Sequence, residues 1–219
     1  MLPPVMGGLY AIIDTDGSGR RGIEVVDFAR AVIRARPALV QLRAKHLRAR
    51  DTLELLRSLR VVCSEVGVPL FANDRPDLAL LAGCDGVHVG QSDLEVADLR
   101  SAFPSLKVGV SSHNLEEVEA ALASRPDYVA FGPVFATGSK QDPDPVVGLE
   151  ALAWVAARVH GAGLPLVAIG GIDLERAALV ANHAELGAVI GALLPNAGES
   201  LGDVTDRVRA LHSRLGGTT

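Results

Sequence analysis

Five residues in the first quarter of the chain, Gln41-Leu42-Arg43-Ala44-Lys45, carry its densest chemical signal. They close an apolar run, Ala38-Leu39-Val40. Alternate residues of a strand share a face. Gln41, Arg43 and Lys45 are therefore expected to project together as one amide and two cations. A buried strand holds such a comb when something anionic or strongly polar binds it; a solvated edge strand is the plain alternative. That alternative weakens because other apolar runs also end in polar clusters. These are Asn73-Asp74-Arg75, Gln91-Ser92-Asp93, Ser111-Ser112-His113, Gly132-Pro133 leading into Thr137-Gly138-Ser139-Lys140, Gly170-Gly171 and Gly191.

Asp74 and Asp93 end neighbouring runs. Close carboxylates repel unless a cation lies between them. Mg²⁺ suits few carboxylates plus phosphate oxygens, because it prefers oxygen ligands and keeps waters. Taken singly, each aspartate also reads as a turn or cap residue; the pair favours metal. Arg43, Lys45, Lys140, Thr137 and Ser139 are candidate phosphate contacts. Gly170-Gly171 and Gly191-Ala192 would bare backbone N–H groups toward a second phosphate, or simply make tight turns. Two anion sites, one with a metal, imply two phosphorylated groups. His113 reads equally as a proton carrier or as a structural residue at a helix start. His88, inside an apolar run, reads as an internal residue with a hydrogen bond.

The elements that must position these groups follow from periodicity. Eight short apolar runs recur at 9–14, 39–45, 69–74, 86–91, 107–112, 128–133, 165–171 and 186–191. Between them lie helical patterns at 51–66 (a face of Leu53, Leu56, Leu59 and Val62), 115–123 capped by Asn114, 149–159, 174–180 capped by Asp173, and 201–215. Strands alternating with helices imply a parallel sheet with right-handed crossovers. Eight such units in 219 residues predict a single-domain α/β fold, a (β/α)8 TIM barrel spanning 1–219. An open doubly wound sheet lacks its glycine fingerprint here. The turn-rich stretch 136–147 reads as a loop over the site.

Bulk properties narrow the class. Hydrophobic residues make up 48% and aromatics only 4%, so Val, Leu, Ile and Ala must build the core. A net charge of -5 offers no basic field for nucleic acid. Cys63 and Cys84 read as buried thiols, with no zinc-ligand spacing. Neither a signal peptide nor a transmembrane run is present, so a cytoplasmic location is expected. The expected partners are small-molecule substrates, with no nucleic acid and no membrane; a homo-oligomer is left open.

Longer motifs gather these residues in order over 9–194. They are Gln41-Leu42-Arg43-Ala44-Lys45, Ala72-Asn73-Asp74-Arg75-Pro76-Asp77, Asp85 to Asp93, Gly109-Val110-Ser111-Ser112-His113, Gly132 to Lys140, and Ala168-Ile169-Gly170-Gly171-Ile172. As an ordered set they resemble the thiamine phosphate synthase family. The resemblance implies a Mg²⁺-dependent transferase that couples 4-amino-5-hydroxymethyl-2-methylpyrimidine diphosphate to a thiazole phosphate and releases pyrophosphate, the diphosphate leaving first. It implies that Gln41, Lys45 and Asn73 hold the pyrimidine diphosphate and that Asp74 and Asp93 hold Mg²⁺. Ser111 and Lys140 would contact the diphosphate, with Arg43 as a third catalytic candidate or a brace for a rim carboxylate. Thr137, Ser139, Gly171, Ile190 and Gly191 would meet the thiazole phosphate. Two positions depart from the pattern: Gly191 replaces a usual serine, and Ser139 a commoner threonine. The competing readings are a thiazole tautomerase working through His113, another phosphate-binding barrel isomerase, and a non-catalytic ligand-binding barrel.

Overall fold

A computed structural model describes residues 7–138 and 144–218. The strands are β1 (Gly8–Asp14), β2 (Leu39–Arg43), β3 (Leu70–Asn73), β4 (Gly86–Val89), β5 (Lys107–Ser112), β6 (Tyr128–Phe131), β7 (Leu166–Ile169) and β8 (Leu186–Val189). The helices are α1 (Thr15–Arg20), α2 (Val25–Arg34), α3 (Ala49–Val66), α4 (Pro76–Ala82), α5 (Val96–Ala102), α6 (Leu115–Ser124), α7 (Gly148–Gly161), α8 (Ala177–Ala181) and α9 (Leu201–Arg214). All strand pairs are parallel, and β8 closes onto β1, giving the expected (β/α)8 barrel. No helix among the described residues is long and apolar enough to cross a membrane.

Parallel strands are covered on both faces, which is why these run apolar rather than alternating. Every residue of β1, β4, β6 and β8 is buried. One apolar layer lies between barrel and helices, the other inside the barrel around Tyr10, Leu39, Phe71, Tyr128 and Val167. Large rings fit that interior because neighbouring strands supply glycine. A Cβ on Gly86 would lie 2.4 Å from the Phe71 ring, and one on Gly109 2.0 Å from Tyr128.

Local details refine the expected boundaries. The helix expected at 51–66 begins at Ala49, and its buried face is Thr52, Leu56, Leu59 and Cys63 rather than Leu53, Leu56, Leu59 and Val62. A constant step of three drifts off one side of a 3.6-residue helix, whereas alternating steps of four and three hold to it. The helix expected at 174–180 begins only at Ala177. Asp173 still accepts from the Glu175 and Arg176 N–H groups, so it caps the turn that leads in. Asn114 caps α6 through the Glu117 N–H. Helices α1, α2, α4 and α5 were not anticipated; α4 and α5 span only seven residues each. Cys63 and Cys84 are buried and free, and burial pushes each thiol up to about 12.

Helix α9 packs between α2 and α8 on the outside of the barrel, and its C-terminal end meets the start of β1. The Leu9 N–H donates to His212 Nδ1 at 3.1 Å. Gly8 and Gly217 press on that ring so closely that a Cβ on either would lie within 2.5 Å of it.

Candidate active site

A cavity of about 1210 Å³ opens over the C-terminal ends of the strands. Gln41, Arg43, Lys45, Asn73, Asp74, Asp93, Ser111, Thr137, Gly171, Ile190 and Gly191 all line it. Ser139 and Lys140 lie outside the described residues, as does the centre of the 136–147 loop.

The three teeth of the β2 comb have different surroundings. Gln41 is buried in the barrel and donates through Nε2 to Asn73 Oδ1 at 2.8 Å. Its Oε1 accepts from the Tyr10 hydroxyl. Arg43 pairs at 2.6 Å with Asp14, a carboxylate only 2% exposed at the end of β1. Of the rim carboxylates it was expected to brace, it meets this one rather than Asp74 or Asp93. Asp14 also accepts from the Gly17 N–H, so the pair ties β1, β2 and the start of α1 together. Lys45 lies two residues beyond the end of β2, where it pairs with Asp74 at 2.6 Å.

Asp74 sits in the left-handed region at φ 60. Its N–H donates to the His88 carbonyl at 2.9 Å, which fixes the β3 exit against β4. Asp93 lies in the turn after β4 and accepts from the Gly90 N–H at 2.7 Å; Glu95, not Asp93, is the N-cap of α5. Burial raises the Asp93 pKa, the Gly90 N–H opposes that, and the nearby Asp74 charge raises it further. Two carboxylates thus face one another where a cation would relieve their repulsion. The donors are all hard oxygens and only two come from the protein, which fits Mg²⁺ completed by waters and phosphate oxygens. Among the described residues no group of three or more His, Cys, Asp or Glu is placed to hold a metal. A soft or all-protein metal centre has no support there.

Ser111 and His88 meet at the top of β5 and β4, with Oγ 2.8 Å from Nε2. His88 Nδ1 lies 2.9 Å from the Tyr128 hydroxyl, and the two rings stack. His88 is therefore internal, as read, but it also lines the cavity. His113 Nδ1 lies 2.9 Å from Glu117 and Nε2 3.2 Å from Asp144, so it joins the start of α6 to the end of the β6–α7 loop. Gly171 lies at φ 63, and a Cβ there would sit 2.4 Å from the Ala136 carbonyl oxygen, so only glycine lets these loops approach. Arg176 clamps the same corner, donating to the Gly171 carbonyl at 2.8 Å and lying 5.0 Å from the centre of the Phe135 ring.

Sequence reasoning missed Tyr10, Tyr128 and Arg176. The tyrosines are the chain's only two, each inside an apolar strand. Their rarity was the one signal available.

Comparison with known proteins identifies the family. The thiamine monophosphate synthase family profile matches residues 9–193. A thiamine-phosphate synthase of Methanoculleus marisnigri is 40% identical over 209 residues, covering 94% of each chain. One of Anaeromyxobacter dehalogenans is 43% identical over 199 residues, covering 88% of this chain and 84% of its own. A solved thiamine phosphate pyrophosphorylase from Pyrococcus furiosus superposes with a TM-score of 0.81 at 28% identity, covering 97% of this chain and 98% of its own. Tryptophan synthase of M. tuberculosis superposes at 0.71 with 14% identity, which speaks to the fold alone. The chain belongs to the thiamine monophosphate synthase family, and with it to the transferases that make thiamine phosphate.

Proposed function

We propose that the enzyme condenses 4-amino-5-hydroxymethyl-2-methylpyrimidine diphosphate with 4-methyl-5-(2-phosphoethyl)thiazole, or its carboxylated form, by a Mg²⁺-dependent dissociative route. The observation that carries this reading is the Asp74–Asp93 pair beside Lys45, with Ser111 lining the same cavity. An oxygen-only cation site next to a lysine is what a departing diphosphate requires.

In this reading Gln41 and Asn73 orient the pyrimidine from inside the barrel. Lys45 leaves Asp74 for the diphosphate and neutralises its growing charge. Asp74 and Asp93 hold Mg²⁺, which supplies electrostatic stabilisation of the leaving group when bound. Ser111 gives its single proton to one acceptor at a time, His88 Nε2 or a phosphate oxygen. Gly171, Ile190 and Gly191 offer the thiazole phosphate backbone at the ends of β7 and β8, with Thr137 adding a hydroxyl and Arg176 holding the corner. Ser139 and Lys140 keep the roles that the family pattern assigns them. Charge separation at the pyrimidine carbon needs stabilised leaving-group charge and a positioned nucleophile rather than a strong base. His113, which a tautomerase would use as its proton shuttle, lies between Glu117 and Asp144 and is given no part in this route.

The test is an assay of purified protein with both substrates and Mg²⁺, scored for pyrophosphate and thiamine phosphate. Stoichiometric appearance of both is expected, and full activity in EDTA would remove the metal from the mechanism. Failure to form thiamine phosphate from either thiazole would overturn the proposal.

A further inference from the structure

One continuous hydrogen-bonded chain crosses the barrel interior, joining Asn73, Gln41, Tyr10, Tyr128, His88 and Ser111 from six of the eight strands. Asn73 and Gln41 meet at 2.8 Å, the two tyrosine oxygens at 2.9 Å, Tyr128 and His88 at 2.9 Å, and His88 and Ser111 at 2.8 Å. Both tyrosines are about 1% exposed, so no bulk water competes for their hydroxyls.

With the Gln41 carbonyl placed toward Tyr10, the proton count runs the whole chain in one direction. Each tyrosine has one O–H proton. Tyr10 donates its proton to Gln41 Oε1, so its oxygen accepts from Tyr128. Tyr128 then has no second proton, and its oxygen accepts from His88 Nδ1–H. On the other side, the Gln41 carbonyl faces Tyr10, so its Nε2 must face Asn73 Oδ1. Asn73, which lines the cavity, is left with its Nδ2 protons for a ligand. An amide alone can present either end. Here the two hydroxyls tie that choice to the rest of the chain, so that neither amide turns over alone.

We propose that Tyr10 and Tyr128 are positioning residues that fix the amides of Gln41 and Asn73 in one orientation, so that the cavity selects a heteroaromatic ring with a nitrogen acceptor facing Asn73. This rests on the pyrimidine substrate proposed above. Neither hydroxyl is needed for the transfer step. Both act through side chains that touch the ring, and reversal of the chain would present an acceptor where the ring also has one, a mismatch that leaves two buried acceptors unpaired.

The test uses Tyr10→Phe and Tyr128→Phe, which keep the rings that fill the interior and remove only the hydroxyls. Each variant and the wild type is titrated calorimetrically with the pyrimidine diphosphate and, separately, with the thiazole phosphate, in Mg²⁺ buffer. Tyr10→Phe is expected to weaken the pyrimidine diphosphate by about tenfold, the size of one lost buried hydrogen bond. It should leave the thiazole phosphate within about twofold. Tyr128→Phe should have a smaller effect in the same direction, because Tyr10 keeps its own proton for Gln41. In turnover the KM for the pyrimidine rises while kcat changes little. Side-chain ¹⁵N NMR should show the Gln41 amide protons slow to exchange in wild type and fast in Tyr10→Phe. A purely structural role would move both affinities together with the melting temperature, which counts against the inference. If wild type binds the pyrimidine diphosphate and both variants bind it equally, the positioning role is wrong and the function stands. If wild type binds no pyrimidine diphosphate, both fall.

Discussion

Replacing Gly109 with alanine tests how the floor of the site is built. A Cβ there would lie 2.0 Å from Tyr128 Cζ and 2.3 Å from its hydroxyl oxygen. Ordinary carbon contacts lie near about 3.5–4.0 Å, so the ring must move by roughly 1.5 Å. The backbone cannot retreat instead, because Gly109 is in register with His88 on one side and Tyr128 on the other. Moving the ring strains its hydrogen bonds to Tyr10 and His88, each worth about 1 kcal/mol. Overpacking adds about 1–3 kcal/mol, and the stiffer alanine returns about 0.5–1 kcal/mol. The net expectation is a loss of about 2–4 kcal/mol, or about 4–16 °C in Tm for a chain of this size. Urea unfolding measures it as a lower midpoint at unchanged slope. Adding Tyr128→Leu, whose shorter side chain clears the new methyl, should make the double variant less damaging than the two single losses combined by about 1 kcal/mol or more. A Gly109→Ala protein within about 0.5 kcal/mol of wild type, or strict additivity with Tyr128→Leu, would refute this account of the interior.

Three further outcomes are expected. Asp74→Asn, chosen because asparagine tolerates the left-handed φ of 60, and Asp93→Ala should each lower Mg²⁺-dependent turnover by about 100-fold with unchanged circular dichroism; normal Mg²⁺ dependence in both would dismiss the carboxylate pair as ligands. Arg43→Met strips Asp14 of its guanidinium and should cost about 3 kcal/mol in urea unfolding, most of it recovered when Asp14→Asn is added. A double variant that regains stability but not activity would give Arg43 a direct part in catalysis. His212 is held below its usual 6.5 by burial, so the unfolded chain takes up a proton before the folded one does. Its contribution should be complete above about pH 6.5 and fade as pH falls below that. The urea midpoint should therefore drop more between pH 7.5 and 5.5 in wild type than in His212→Gln, and equal slopes would exclude this histidine as the cause.

Much of the molecule was legible from residue order because it rests on local rules. Apolar runs without alternation announced strands buried on both faces, and their number and spacing announced a closed parallel barrel. The polar residues ending those runs could be placed on one rim, since every βα unit enters and leaves the barrel in the same sense. Asn114 as a cap, and Asp74 with Asp93 as a pair, needed only adjacency and charge. The short helices α1, α4 and α5 escaped because six or seven residues show too little periodicity.

Side-chain partnership was a different matter. The comb on β2 looked uniform, yet Gln41 faces inward to an amide, Arg43 turns to Asp14 on β1, and Lys45 reaches Asp74 beyond β3. Strand periodicity determined which face each residue occupies. Barrel closure determined which distant residue stands opposite. Tyr10 and Tyr128 are 118 positions apart and only 2.9 Å apart across the interior. No local pattern encodes that meeting, because it depends on the register of eight strands at once and on the space that Gly86 and Gly109 leave for rings. The sequence alone determined the barrel, its rim and its chemical class; the tertiary structure decided how protons and charges are shared among the rim residues, because those bonds form between strands rather than along them.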